Sequence, residues 1–157
     1  MSLISCNAQI KESNKPTVNI ELRDSFKNAD SLILFRFNAK NPCSQSKAVS
    51  IIKENKISEC FDYVRTIQGG EVKNIINVLY DSDTYGGEEV ACFDTDYSLI
   101  AVENDVIIGF INISFSCNKL ISKPLIIERD KHINESLRKV GFSSSGKKLL
   151  LRLLKLA

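Results

Sequence analysis

At 157 residues, with 43% hydrophobic and 25% charged side chains, the chain is long enough for one domain with a real core. Its formal net charge of +2 is too small to argue for nucleic acid. The opening MSLISCNAQIKESNK does not read as a signal peptide, and no apolar run approaches the ~18 residues of a membrane span. Cys6, Cys43, Cys60, Cys92 and Cys117 are odd in number, widely spaced and without a CxxC pair. They offer no zinc or thioredoxin pattern, and the expectation is reduced thiols in a cytoplasmic protein.

Residues 1–16 are polar and read as a loose start. Thr17 to Arg23 alternates Val18, Ile20 and Leu22, a strand pattern. Leu32 to Phe37 is apolar, and periodicity does not decide between strand and helix. Ser44 or Ser46 can cap a helix that aligns Ala48, Val49, Ile51 and Ile52. Ser58 opens a second, with Phe61, Val64 and Ile67 together, broken by Gly69-Gly70. Val72, Ile75, Ile76 and Leu79 then follow at helical spacing. Residues 81–88 are a loop, and Val90 to Phe93 suggests a short strand.

The stretch 98–116, SLIAVENDVIIGFINISFS, is the organising element. Leu99 to Val102 and Val106 to Phe115 are apolar arms around Asn104-Asp105, a pair that tolerates positive φ. Apolar residues on both faces of the second arm predict central strands with helices above and below. Gly109 predicts a bulge or a closely passing backbone. Asn118 to Lys123 reads as a turn, and Pro124 as the start of a third strand through Leu125, Ile126 and Ile127. Gly141 to Gly146, GFSSSG, leads into a helix over Lys147 to Ala157, made of strong helix formers. The fold class is thus α/β in the α+β sense, a mixed sheet flanked by helices.

The segment that could carry chemistry is GFSSSGKK. A Gly/Ser turn at a helix start offers N–H groups and hydroxyls to a phosphate. Lys147 and Lys148 sit in the first turn, where cations oppose the helix dipole and a bound anion would remove the conflict. The plain alternative is a capped loop with two solvated lysines. As a P-loop the segment lacks the Mg²⁺-binding Ser or Thr, since Lys148 stands there.

Residues 98–157 resemble the GNAT superfamily of acyl-CoA-dependent N-acyltransferases. The hairpin resembles that family's apolar hairpin with a short acidic turn and a glycine in the return arm. INESLRKVGFS, Ile133 to Ser143, resembles the pyrophosphate-loop pattern, with Arg138, Gly141 and Ser143 at the Arg, first Gly and final small residue. A second register puts Gly146 at the small residue and loses the Arg, and both remain open. The resemblance implies acetyl-CoA or another acyl-CoA as cofactor. Pantetheine would lie along main-chain groups near Ile127, and pyrophosphate on Gly141, Ser143, Ser144, Ser145, Gly146 and Lys147. Glu128 would be the base for acyl transfer to a small-molecule or peptide amine. The family continues with further strands after this helix, so the C-terminal part of its fold is expected to be missing here. The domain is then an acetyltransferase-like one, active or degenerate.

A second reading makes the chain a non-enzymatic interaction domain. It would act through the basic amphipathic C-terminal helix, which sets Lys148, Arg152 and Lys155 on one stripe. The wide face of Leu149, Leu150, Leu153, Leu154 and Leu156, with an unpaired third strand, predicts a homodimer. The only histidine, His132, has no cysteine at a spacing suited to nucleophilic catalysis, and no metal site is expected.

Overall fold

The computed structural model describes residues 19–40, 49–132 and 140–156. Within them the organising element is the expected hairpin, with arms β6 (Tyr97–Glu103) and β7 (Val106–Ser114). Asn104 and Asp105 have φ of 50° and 62°, the pair of left-handed residues that a tight antiparallel turn requires. Residues 31–37, open between two readings, form strand β1 (Ser31–Phe37) beside β6. With β4 (Phe61–Gln68) and β8 (Lys119–Lys123) they complete a five-stranded antiparallel sheet, ordered β4-β1-β6-β7-β8.

Both expectations for Gly109 are met. A β-carbon there would lie 2.5 Å from the Phe26 ring and 2.5 Å from the Lys123 carbonyl oxygen. The β6–β7 register shifts at Ala101/Val102, which leaves Ile108 as the extra residue. Residues 19–26 exploit this bulge rather than forming the strand expected over 17–23, of which 17 and 18 lie outside the described residues. Ile20 bridges Ile107, Arg23 N–H donates to the Ile108 carbonyl at 2.9 Å, and Phe26 is fully buried behind them.

Among the described residues, helices cover one face only. α1 (Gly70–Leu79) and α2 (Ser144–Leu153) pack Val72, Ile75, Leu79, Leu150 and Leu154 against Leu32, Leu34, Leu99, Ile111 and Ile113. The opposite face holds Phe35, Ile100, Ile107 and Phe110. Its cover is a short hairpin, β2 (Ile52–Lys53) and β3 (Lys56–Ile57), together with buried Ile51. The helix expected from a cap at Ser44 or Ser46 through Ile52 is therefore corrected over residues 49–52, while its cap and Ala48 lie outside the described residues. Asn112 accepts the Ile51 N–H at 3.2 Å and donates to Ser50 Oγ at 3.3 Å, so the sheet itself engages the groups a helix would use.

The helix expected over 58–67 is also corrected, and the cause is a second bulge. Leu34 pairs with Arg65 but Phe35 with Tyr63, which leaves Val64 as the extra residue. Phe61 thereby joins the hairpin face and Ile67 the helix face. A strand whose buried residues change sides shows no period of two, and its apolar spacing resembles a helix.

The third strand is displaced from its expected place. Residues 119–123, expected as a turn, form β8, and Asn118 at φ 53° makes the turn before it. Leu125 and Ile127 follow outside any strand and are exposed at 72% and 68%, and Ile127–His132 is a 3-10 turn. Residues 90–93 are a loop rather than a strand. α2 begins at Ser144, earlier than expected. Leu150 and Leu154 are buried, and Leu151, Leu153 and Leu156 pack partly against the same core. Of the leucine face on which a dimer was argued, the chain's own core thus buries Leu150 and Leu154 and covers Leu153 and Leu156 in part.

The expectation of reduced thiols is corrected as well. Cys92 and Cys117 form a disulfide, and Cys60 is disulfide-bonded too.

Candidate functional site

The Gly/Ser turn is a packed joint. β9 (Gly141–Phe142) pairs with β5 (Tyr85–Gly87) and runs into Ser143, the N-cap of α2. Ser143 Oγ accepts the Gly146 N–H at 3.0 Å and donates to the Asp83 carbonyl at 2.8 Å. The Ser143 N–H donates to the Thr84 carbonyl, and its own carbonyl takes the Lys147 N–H, both at 2.9 Å. A β-carbon on Gly146 would stand 2.3 Å from the Thr84 carbonyl oxygen, and one on Gly141 2.6 Å from the Asn118 carbonyl oxygen. Both glycines therefore permit close backbone contact. Lys147 Nζ donates to the Phe115 carbonyl at 2.6 Å, which gives that cation a partner inside the fold. Ser144, Ser145 and Lys148 are exposed.

Glu128 lies in the 3-10 turn after the exposed Ile127. Its Oε2 is buried without a hydrogen-bond partner. Neighbouring Arg129 donates to the Leu120 carbonyl. Burial pushes the Tyr85 phenol well above its ordinary range; Arg129 opposes that shift and Glu128 adds to it. The phenol donates to the Leu79 carbonyl at 2.7 Å. Glu128 is thus brought near β5, the strand that pairs with the Gly/Ser segment. Arg138 lies outside the described residues.

Along α1, from its N-cap Gly69 to its C-cap Tyr80, runs a cleft of about 540 Å³ that the sequence did not announce. Its floor is Val72 and Ile76 of α1 with the ring of Tyr80, and Gly69, Ala29 and Asp30 form part of the wall. Tyr80 is well anchored: its hydroxyl accepts the Phe26 N–H at 3.1 Å and lies 3.2 Å from Ser25 Oγ. Lys27 Nζ stands 5.1 Å from the Tyr80 ring centroid, a cation over a π face. Lys73 contributes a second ammonium to the lining. Asp30, the acidic lining residue, accepts the Asn104 N–H at 2.8 Å. The first turn of α1 opens here, and Gly69 makes no side-chain cap. The apolar lining and the two lysines, Lys27 over the C-cap ring and Lys73 in the N-terminal half of α1, favour an anion with a hydrophobic body. The only trace of this in the sequence was Lys73 on the polar side of a periodic helix.

Glu71, also in that first turn, does not line the cleft. It accepts from Arg65 of β4 at 2.8 Å and pairs with Lys155 at 2.8 Å. The Arg65 hydrogen bond, followed by Lys155, holds its carboxyl down at about 2. Arg65 also donates to the Leu153 carbonyl at 3.2 Å, joining β4, α1 and the end of α2.

Among the described residues no cluster of His, Cys, Asp or Glu suits a metal ion, and no helix is long and apolar enough to cross a membrane. No family model, no curated protein and no solved structure matches this chain.

Proposed function

We propose that this chain is a binding module for a small anionic ligand with an apolar or aromatic body, held in the cleft along α1. The observation that carries this reading is that Lys27 and Lys73 line one cleft with Val72, Ile76 and Tyr80. A volume near 540 Å³ is in the range of small-ligand sites. The ligand's charge would meet the lysine ammonium groups, and its body would replace water on apolar side chains. The disulfides at Cys60 and Cys92–Cys117 support work in an oxidising compartment rather than the cytoplasm.

The test is a thermal-shift screen at low ionic strength with short-chain and aromatic carboxylates, followed by calorimetry. A true ligand raises the melting temperature with concentration. Lys27→Ala and Lys73→Ala are each expected to weaken it by about tenfold, and added salt to weaken it further. Affinity that survives both substitutions would refute the site. Acetyl-CoA belongs in the same screen. A saturating shift lost with Ser144→Glu, and unaffected at Lys27 and Lys73, would move the function to the Gly/Ser joint and restore the acyl-transfer reading.

A further inference from the structure

The disulfide Cys92–Cys117 is asymmetric, and its asymmetry is independent of the cleft. Cys117 closes the turn after β7 and is only 1% exposed, whereas Cys92 lies on an exposed part of the loop between β5 and β6. Cys92 N–H donates to the Val90 carbonyl at 2.7 Å, a tight turn that presents the residue outward. Cys117 Sγ accepts the Asp94 N–H at 3.4 Å. A thiolate approaching from solvent therefore meets the Cys92 sulfur, while the Cys117 sulfur is shielded and already faces a donor.

The loop is also tied to the Cys117 turn without the sulfur bond. Val90 N–H donates to the Cys117 carbonyl at 3.1 Å, and Asn118 Nδ2 to the Glu88 carbonyl at 2.9 Å. Asp96 accepts the Phe115 N–H at 2.7 Å and the Ser116 N–H at 3.1 Å. These contacts hold the two segments in place when the S–S bond opens, so opening needs no unfolding.

We propose that Cys92–Cys117 is a thiol–disulfide exchange site, with Cys92 as the attacked sulfur and Cys117 as the leaving group. A thiolate of a small thiol or of a partner dithiol forms a new S–S bond to Cys92 Sγ. The Cys92–Cys117 bond breaks, and its electron pair goes to Cys117 Sγ, where the Asp94 N–H stabilises the thiolate. Attack by Cys117 on the mixed disulfide reverses the step and expels the incoming thiolate. The substrates are thiols and disulfides, and no other oxidant or reductant enters.

The experiment treats the folded, oxidised chain with reduced glutathione, quenches with acid, alkylates the freed thiols under denaturing conditions and maps adducts by mass spectrometry. Glutathione is expected on Cys92 and the alkyl group on Cys117, with Cys92 favoured at least roughly tenfold. The disulfide of Cys60, a residue 6% exposed, is expected to stay closed, and near-ultraviolet circular dichroism to stay native. Three results would overturn the proposal: adducts on Cys117 or shared equally, opening only in denaturant, or the Cys60 bond opening at the same rate.

Discussion

Gly146→Ala separates packing from ligand binding as the reason for a glycine in the α2 first turn. Helix propensity alone favours alanine there by about 1 kcal/mol. The fold opposes it. The new β-carbon would meet the Thr84 carbonyl oxygen at 2.3 Å and the Thr84 Cα at 2.6 Å, both backbone atoms. Ordinary contact begins near 3.4 Å, so α2 or residues 83–84 must retreat by about 1 Å. Retreat stretches the Ser143 bonds to Asp83 and Thr84, and lifts the buried Leu150 from its seat. Overpacking of this kind costs roughly 1–3 kcal/mol, and more when hydrogen bonds lengthen with it. The net expectation is a loss of about 1–2 kcal/mol and a melting temperature lower by roughly 5 °C. Gly70→Ala is the paired control. Nothing lies within 4 Å of its β-carbon, so the propensity gain stands alone and stability rises by up to about 1 kcal/mol. Urea unfolding followed by circular dichroism reads both. A Gly146→Ala chain as stable as the parent or more so would refute the packing argument.

Three further outcomes follow from the same contacts. Replacing both Cys92 and Cys117 by Ser removes a link across 25 residues, and the chain-entropy relation puts the loss near 3.5 kcal/mol at 25 °C, measurable by urea unfolding. Asn112→Ala leaves the Ile51 N–H and the Ser98 hydroxyl without their shared acceptor, at a cost of about 2–4 kcal/mol, and raises amide exchange at Ile51. The Glu71 carboxyl is held at about 2, below its ordinary 4.5, so its stabilising effect is complete above pH 4.5 and lost as pH falls toward 2. Glu71→Gln is expected to flatten that part of the acid-unfolding curve, and an unchanged acid limb would show that the Arg65–Glu71–Lys155 network adds nothing.

Local signals were strong where chemistry is local. The Asn104-Asp105 pair marks its turn because few residues accept positive φ, and the β-branched arms beside it are legible as strands. Val72, Ile75, Ile76 and Leu79 announce α1 because a helix with one buried face must repeat near every 3.6 residues. Gly109 announced a closely passing backbone, and the Lys123 carbonyl supplies it. A helix after the Gly/Ser segment was legible from its strong formers, although it starts at Ser144 with Ser143 as its cap rather than at Lys147.

What only the tertiary structure decided is wherever distant segments compete for the same residues. The bulge at Val64 sends Phe61 and Ile67 to opposite faces, so β4 carried no strand period. Ile51 is buried through a partner 61 positions away, a contact no window of neighbours contains. The sequence shows five cysteines but not which of them meet, since pairing depends on where β5, β6 and β7 bring residues 92 and 117. The same holds for function. GFSSSGKK has the composition of an anion loop, yet its N-cap and Lys147 are engaged by Asp83, Thr84 and Phe115, residues far from it in the chain. Lys27, Lys73 and Tyr80 carry no motif, and they share a cleft because residues 19–30 fold across the end of the sheet onto α1. A spacing records what neighbours in the chain can do, and only the fold settles which groups remain for a ligand.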